Sequence, residues 1–269
     1  MISLIQLGTI DYATGLRLQQ QLVALRKEEK IGDVLLLLEH KPVITLGRNA
    51  KAANVVASPD LLKKRGVELF ECDRGGDVTF HGPGQIVGYP IFDLRGFPTP
   101  DGKRKTLGVI EFVRRLEEVL MRTCADFTIA TKRVAGLTGV WTDAGGSNAH
   151  VGPGLRPGQG ESKTRLAAES SPREDAESKL AAIGVHVSRF VTSHGFALNV
   201  NTDLSYFNLI VPCGITSKPV TSMQQQLGKP LDLNAVAESI SRNFGVVFQT
   251  QILWVETLDA LLGRAVGVP

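Results

Sequence analysis

Cysteine and net charge are both scarce in this 269-residue sequence, and long apolar runs are missing. The three cysteines, Cys72, Cys124 and Cys213, are too few and odd in number for a disulfide framework. The net charge of +3 is too small for the basic stripe on which nucleic-acid binding usually depends. The longest apolar run, VLLLL, is far short of a membrane span, and no signal peptide is visible. We therefore expect a cytoplasmic protein that binds neither nucleic acid nor membranes.

Apolar residues make up 43% of the chain, and their spacing predicts both helices and strands. Helical spacing covers 11–29 and 106–124, and LNAVAESISRNFG is the last clear helix. The predicted strands are SLIQLG, DVLLLLEH, VITLG, VELFEC, QIVGYPIFDL and VAGLTGVWT, followed by AAIGVHVSRFVTSHGFALNV as a pair with a turn near His194. Pro90 indicates an edge strand or a bend. Because the order lacks a regular strand–helix–strand rhythm, we predict an α+β fold with a mixed, largely antiparallel sheet flanked by helices.

One segment, residues 144–178, differs from the rest in composition. It is rich in glycine, serine, proline and charged residues, and it contains no aromatic residue. Such a segment buries too little apolar area to offset the entropy lost on ordering. We therefore predict a disordered loop, inserted between two strands of a single domain that spans residues 1–269.

A second unusual stretch is RGGDVTFHGPGQIVGYP, residues 74–90, which is dense in glycine. Glycine lets a backbone approach a ligand closely and supplies positive φ angles. The stretch lacks the Lys-Ser/Thr pair of a P-loop and does not match the dinucleotide fingerprint. Glycine content alone leaves a binding loop and a tight turn between strands equally open.

The stretch LIVPCGIT places Cys213 between proline and glycine, at the end of an apolar run. Taken alone, a free cysteine is more often an inert core residue than a nucleophile, and an isolated lysine such as Lys179 is usually a solvated surface residue. Cys124 lies at helical spacing from Leu116 and Leu120, so we assign it to the core. Cys72 ends an alternating strand, and we assign it a structural role. No cysteine or histidine spacing suggests a zinc site.

Four stretches in series resemble the lipoyl(octanoyl) transferases of protein lipoylation. They are LLLLEHKPVITLGR (35–48), RGGDVTFHGPGQIVGYP (74–90), KLAAIGVHVSRFVTSHGFALNV (179–200) and VPCGIT (211–216). The resemblance implies an acyltransferase that needs no cofactor and no metal, with a fold similar to the catalytic domain of biotin and lipoate protein ligases. It implies octanoyl-acyl carrier protein as the donor. The acceptors would be lysines on the lipoyl domains of 2-oxoacid dehydrogenase complexes and of the glycine cleavage system.

The resemblance also assigns roles to individual residues. Cys213 takes the position of the acyl-accepting thiol, and Lys179 that of its paired lysine. His194 is given a supporting structural role. The substrate-lining positions fall on Arg74, Gly75, Gly76, Asp77, Val78, Thr79, Phe80, His81, Ala182, Ile183, Gly184, Gly195, Phe196 and Ala197. Ser178 stands where the family has a basic residue.

These assignments suit the chemistry of a thioester. A nearby ammonium favours the thiolate, which is the nucleophilic form of cysteine. The same amine can exchange protons with the incoming lysine or the leaving thiol. Backbone N–H groups in PCGI could bind the oxyanion that forms on the thioester carbon, which gives a reason for a thiol at a strand end.

Two other functions are compatible with the same sequence. An ATP-dependent lipoate or biotin ligase would share the fold, although a ligase that forms an adenylate has no need for the cysteine of VPCGIT. A non-catalytic binding protein would keep the pocket but has no reason to keep both Cys213 and Lys179. A papain-like protease is disfavoured, since such enzymes place the cysteine early and the histidine late, and Cys213 follows all five histidines.

Overall fold

The structure is a computed structural model that describes residues 1–97, 99, 102, 106–143, 177–212 and 218–262. Most of the predicted insert, 144–176, lies outside the described residues, and so does Cys213. The last two residues of the predicted insert are described, and Ser178 is the first residue of a strand. Within the described ranges, no helix is long and apolar enough to cross a bilayer.

Strands and helices alternate irregularly along the chain. The strands are β1 (Ile2–Ile10), β2 (Asp33–His40), β3 (Val43–Leu46), β4 (Glu68–Glu71), β5 (Val78–His81), β6 (Gln85–Ile91), β7 (Lys132–Val134), β8 (Leu137–Thr142), β9 (Ser178–Ser188), β10 (Val191–Asn199) and β11 (Ile252–Trp254). The helices are α1 (Tyr12–Lys27), α2 (Pro59–Lys64), α3 (Val109–Asp126), α4 (Met223–Leu227), α5 (Leu233–Phe248) and α6 (Leu258–Leu262).

The strands form two sheets. The large sheet has the order β11-β1-β2-β6-β10-β9-β8-β7, and the small sheet has the order β4-β3-β5. In the large sheet β1 pairs in parallel with β2 and β11, and every other neighbouring pair is antiparallel. The prediction of an α+β fold with a mixed, largely antiparallel sheet is therefore confirmed.

Helices cover both faces of the large sheet because each helix has one apolar side. Phe112 and Leu116 of α3 and Phe244 of α5 are fully buried in one hydrophobic cluster. Cys124 belongs to the same cluster, as predicted, and burial raises its pKa to about 12. Helix α1 buries Leu22 in a second cluster on the other face.

The hairpin between β9 and β10 turns at Arg189 and Phe190, so the prediction of a turn near His194 is wrong. Both turn residues have positive φ, 49° and 68°, as a tight hairpin turn requires. The turn contains none of the glycine or asparagine residues that usually mark such a bend, which is why the sequence pattern did not reveal it. His194 lies inside β10, with a φ of 55°.

Pro90 lies in β6, a central strand between β2 and β10, so the alternative of an edge strand is wrong. Proline is tolerated because the regular pairing of β6 with β10 ends at Gly88, and no ladder bond needs the missing N–H. The Thr192 hydroxyl spans this gap by donating to the Pro90 carbonyl, 2.7 Å away. VAGLTGVWT also differs from its prediction as one strand, because a turn at Gly136 (φ 78°) divides it between β7 and β8.

Gly88 offers a direct test of packing at the centre of the large sheet. A Cβ atom at this position would lie 2.1 Å from Cζ of the buried Phe196, whereas one at Gly96 would meet nothing within 4 Å. We expect Gly88→Ala to lower the free energy of unfolding by about 1–3 kcal/mol, measured by chemical denaturation. Gly96→Ala is the matched control. Equal stabilities of the two variants would contradict the packing argument.

Candidate active site

A cavity, here called the main cavity, lies between the two sheets and opens to solvent, with about 520 Å³ of space that includes part of the solvent outside it. Its walls come from β5, β6, β9 and β10, from the start of α1, and from the segment that precedes β5. The lining residues are Tyr12, Arg74, Gly75, Gly76, Asp77, Thr79, His81, Val87, Tyr89, Lys179, Ala182, Ile183, Gly184, His194, Gly195, Phe196 and Ala197.

Small side chains form the floor of the main cavity. Ala197 of β10 pairs with Val87 of β6 and with Ala182 of β9, so the three share one face of the sheet. Two residues away on the same face of these strands, Gly195 pairs with Gly184. This arrangement leaves an apolar channel above the sheet that larger side chains would fill.

The segment 74–76 lies so close to β9 that only glycine fits at position 184. The Gly75 N–H donates to the Val185 carbonyl at 3.1 Å. A Cβ atom at Gly184 would lie 2.6 Å from the Gly75 carbonyl oxygen, and one at Gly47 would lie 2.4 Å from that of Gly76. Close approach thus requires glycine at the partner positions Gly184 and Gly47, whereas Gly76 within the segment has a positive φ of 91°.

Arg74 brings a nearly buried positive charge to the main cavity. Its guanidinium donates to the hydroxyl and carbonyl oxygens of Thr45 and to the Gly75 carbonyl, at 2.7–3.2 Å. All these acceptors are uncharged, so none of these bonds neutralises the guanidinium. A polar or anionic group of a ligand would gain from this charge more than it would in water, because the site is partly desolvated.

A chain of hydrogen bonds runs from the small sheet into the large one below the cavity. His81 Nδ1 donates to Gln85 Oε1 at 2.7 Å, and Gln85 Nε2 donates to Asn199 Oδ1 at 2.8 Å. His81 is neutral, because burial lowers its pKa to about 3, so Nε2 accepts from the Thr45 hydroxyl at 3.3 Å. Asn199 Nδ2 in turn donates to the Thr221 carbonyl. The chain fixes the position of the imidazole that faces the cavity.

A second buried histidine, His40, supports the wall near Tyr89. Burial lowers the pKa of His40 to about 4, so the ring is neutral. Its Nδ1 donates to the Ile10 carbonyl at 3.1 Å, and its Nε2 accepts from the Tyr89 hydroxyl at 2.6 Å. Tyr12 packs edge-on against the same ring, with centroids 5.2 Å apart.

Lys179 stands at one end of the main cavity, on β9. Its ammonium lies 5.1 Å from the centroid of the buried Trp141 ring, within the range of a cation–π contact. Its backbone N–H donates to the Pro219 carbonyl at 2.8 Å, and its carbonyl accepts from Thr221 N–H at 3.0 Å. Pro212 also lines a small pocket together with Lys179. The chain on both sides of residues 213–217 therefore lies next to this lysine.

Most of the predicted substrate-lining residues come together around the main cavity. The exceptions are Val78 and Phe80, which belong to the core of the small sheet. Alternation along β5 explains the difference, since Thr79 and His81 face the opposite side. His194 lines the cavity directly, although the sequence suggested only a supporting role. Cys213 lies outside the described residues, and no cluster of metal-ligating side chains occurs in the described part of the chain.

Sequence reasoning missed three lining residues, Tyr12, Val87 and Tyr89. Tyr12 begins α1, far along the chain from the glycine-rich stretch, and nothing in its neighbourhood marks it. Val87 and Tyr89 lie within the quoted motif 74–90, but their orientation depends on the register of β6. The strand period itself could have indicated that they share a face.

A second cavity, here called the rear cavity, lies between α1 and the β9–β10 hairpin. The residues that line it are Leu16, Gln19, Gln20, Val23, Lys27, Glu71, Cys72, Asp73, His186, Ser188, Val191, Ser193 and His194. Cys72, predicted to be structural, donates from Sγ to the Leu46 carbonyl at 3.4 Å and belongs to this set.

The buried histidines make stability depend on pH. The pKa values of His81 and His40, about 3 and about 4, lie below the ordinary 6.5, so the unfolded chain binds more protons as the pH falls. The free energy of unfolding should be highest above pH 6.5 and fall below it, by up to about 1.4 kcal/mol per pH unit for each histidine. Chemical denaturation between pH 7.5 and 5 measures this slope.

His40→Gln should reduce the slope of the free energy of unfolding against pH by the contribution of one histidine. This reduction is expected even if the variant is less stable at every pH. Tyr89→Phe keeps the buried imidazole and is the matched control, with the slope retained. A free energy of unfolding that stays constant from pH 7.5 to 5 in the unmodified protein would contradict the assignment of neutral histidines.

Sequence relatives share the whole length of the chain. Residues 11–245 match the model of the lipoyl protein ligase A/B catalytic domain. The chain is 55% identical to an octanoyltransferase of Koribacter versatilis over 269 residues, which cover all of this chain and 93% of the relative. It is 52% identical to an octanoyltransferase of Acidobacterium capsulatum over 264 residues, covering 97% and 96% of the two chains.

Solved structures of similar fold are lipoate ligases. A bipartite lipoate protein ligase from Thermoplasma acidophilum superposes with a TM-score of 0.64 at 14% identity, covering 97% of this chain and 90% of that one. A lipoate-protein ligase A bound with ATP gives a TM-score of 0.61 at 15% identity, covering 96% and 89%. These likenesses confirm the predicted fold, and the sequence relatives confirm the predicted family. The chain belongs to the octanoyltransferases, within the family of the lipoyl protein ligase A/B catalytic domain.

Proposed function

We propose that the transferred octanoyl group is carried as a thioester on Cys213, and that Lys179 moves the protons of the reaction. The donor is octanoyl-acyl carrier protein. The acceptors are lysines on the lipoyl domains of 2-oxoacid dehydrogenase complexes and of the glycine cleavage system. The cytoplasmic location expected from the sequence is part of the same proposal.

The observation that carries this proposal is the position of Lys179. It lines the main cavity, and its backbone is hydrogen-bonded on both sides to the segment 219–221. Pro212, one peptide bond from Cys213, shares a small pocket with it. Pro212 and Pro219, described residues on the two sides of Cys213, both lie beside Lys179. The electrostatic activation expected from the sequence needs such proximity.

In the first half-reaction, the Cys213 thiolate attacks the carbonyl carbon of the octanoyl thioester. The carbon–sulfur bond to the carrier breaks, and the carrier thiol leaves with a proton from Lys179. In the second, the neutral amine of the acceptor lysine attacks the acyl-Cys213 carbonyl. An amide forms, the Cys213 sulfur leaves as thiolate, and Lys179 accepts the proton lost by the amine.

The main cavity supplies a place for the eight-carbon chain. Ala182, Ala197, Gly184 and Gly195 leave an apolar channel over the sheet, which removes the chain from water. Arg74 also lines the cavity, with its side chain beside Gly184 rather than beside Lys179. We assign the remaining lining residues predicted from the sequence to contacts with the acyl group.

The alternative of an ATP-dependent ligase rests only on the shared fold. The lipoate ligases of similar structure are 14–15% identical to this chain, whereas the relatives at 52–55% identity are octanoyltransferases. An acid-activating ligase also gives no role to Cys213.

The thioester can be tested by intact mass. Incubation with octanoyl-acyl carrier protein, without an acceptor, should add one octanoyl group that neutral hydroxylamine removes. Cys213→Ala should acquire no such adduct, whereas Cys72→Ala is the matched control and should keep it. Octanoate with ATP in place of the donor should add no mass. A labile adduct or full transfer rate in Cys213→Ala would refute the assignment.

Two contributions of Lys179, its positive charge and its proton transfer, can be measured separately with two variants. Lys179→Met should raise the pKa of the Cys213 thiol, so iodoacetamide labelling should slow far more at neutral than at high pH. Lys179→Arg should keep part of the thiolate but fail in single-turnover transfer, because a guanidinium does not release its proton at working pH. An unchanged thiol pKa in Lys179→Met would exclude the electrostatic role. Full activity of Lys179→Arg would exclude proton transfer.

A further inference from the structure

Lys179 faces the main cavity because of an irregularity in β9. Ala181 and Lys179 pair with two successive residues of β8, so Leu180 between them forms a β-bulge. Leu180 and Ala181 are consecutive, yet both are buried in the same hydrophobic cluster, whereas regular alternation would place them on opposite faces. The extra residue returns Lys179 to the face of β9 that carries Ala182, and both line the main cavity.

The neighbouring strand β8 then determines where the Lys179 side chain lies. Trp141 is its direct partner across the two strands, and the ammonium lies 5.1 Å from the centroid of the indole ring. The aliphatic part passes beside Gly139, where a Cβ atom would lie 2.9 Å from Lys179 Cε. Glycine therefore leaves room for the methylene groups, and tryptophan presents a ring to the charge.

The Trp141 ring is itself fixed in position. It is 1% exposed, so it cannot turn away without disturbing the core. The strand beside it is held by the Gly139 N–H, which donates to the carboxylate of the buried Glu117 at 3.2 Å. Of the aromatic side chains, an indole attracts a cation most strongly. A rigid ring with this property restricts the end of an otherwise flexible side chain.

A second ammonium, that of Lys218, lies 5.8 Å from the centroid of the same ring. It is hydrogen-bonded to the Glu177 carboxylate, which also lies 3.3 Å from the Lys132 ammonium. The Glu177 carboxylate therefore holds Lys218 independently of the ring. Lys218 thus provides a comparison for Lys179, because both ammonium groups lie near one indole.

We propose that Trp141 is a positioning residue of the transfer reaction, and that its ring keeps the Lys179 ammonium at one place beside the main cavity. This inference rests on the proposed function, which gives Lys179 its role toward the Cys213 thiol. Trp141 does not belong to the described residues that line the main cavity, so it acts through Lys179 and not on the acyl group. Without the ring, the ammonium spends less time where it stabilises the thiolate and exchanges protons.

The test compares two substitutions of the ring. Trp141→Leu removes the aromatic face, whereas Trp141→Phe keeps a weaker one. We expect single-turnover octanoyl transfer to fall by about tenfold in Trp141→Leu and by less in Trp141→Phe. Iodoacetamide labelling of Cys213 in Trp141→Leu should slow more at neutral than at high pH, as in Lys179→Met. A loss of transfer without this change in the pH profile would overturn the proposal.

A double-mutant cycle shows whether Trp141 acts through Lys179. In the Lys179→Met background, Trp141→Leu should cause no further change in the pH profile of iodoacetamide labelling, because the ammonium is already absent. The labelling remains measurable when transfer is lost. An equal change in both backgrounds would mean that the ring supports the site in general, and it would overturn the proposal.

Two single variants are the controls. Phe112→Leu shortens another fully buried ring, which packs against Phe92 and Phe248, so it should lower stability and leave the labelling profile unchanged. Lys218→Met removes the other ammonium near the indole and should also leave the profile unchanged. A shift in either control as large as that of Trp141→Leu would overturn the proposal.

A measurement on the unmodified protein covers the case in which Trp141→Leu does not fold. The methylene protons next to the Lys179 ammonium should resonate upfield of those of exposed lysines, because they lie near the indole ring. Their NMR signal is assigned by its loss in Lys179→Met. A signal at the position of exposed lysines would overturn the proposal. An unchanged labelling profile in Lys179→Met would instead refute the electrostatic role of Lys179, so the two failures are distinguishable.

Discussion

The site depends on the buried hydrogen-bond chain that joins the two sheets. Thr45 and His81 belong to the small sheet, and Gln85 and Asn199 belong to the large one. Each of these polar groups is buried, so an unpaired one would cost about 1–3 kcal/mol. Because every partner lies on another strand, the bonds hold the sheets at a fixed separation. The main cavity is the apolar space that remains beside this polar contact.

The cavity has different chemistry at its two ends. At one end the Lys179 ammonium lies over the Trp141 ring, and Pro212 and Pro219, on the two sides of Cys213, lie beside Lys179. At the other end lies His194, whose ring donates to the Asp73 carboxylate and whose backbone N–H donates to the buried Gln19 amide oxygen. Between them the floor consists of alanine and glycine, which contribute space and little else.

Much of the fold followed from periodicity, because burial on one side imposes a repeat on the sequence. Helices α1, α3 and α5 and the apolar strands lie where their spacing predicted them. The failures share a physical cause. The turn at Arg189 and Phe190 lacks glycine, and Pro90 is tolerated in a central strand because pairing with β10 ends two residues before it. Both depend on partners from elsewhere in the chain, and no local pattern records them.

The sequence by itself determined the family, the helices and most strands, and the glycine-rich stretch as a candidate for close backbone approach. These properties are local or are written in motifs of consecutive residues. Only the tertiary structure decided that Thr79 and His81 face the cavity while Val78 and Phe80 face the core of the small sheet. It also decided that Tyr12 lines the main cavity and that His194 lines both cavities. The physical reason is that orientation and proximity depend on strand register and on the packing of sheets, which join residues far apart in the chain.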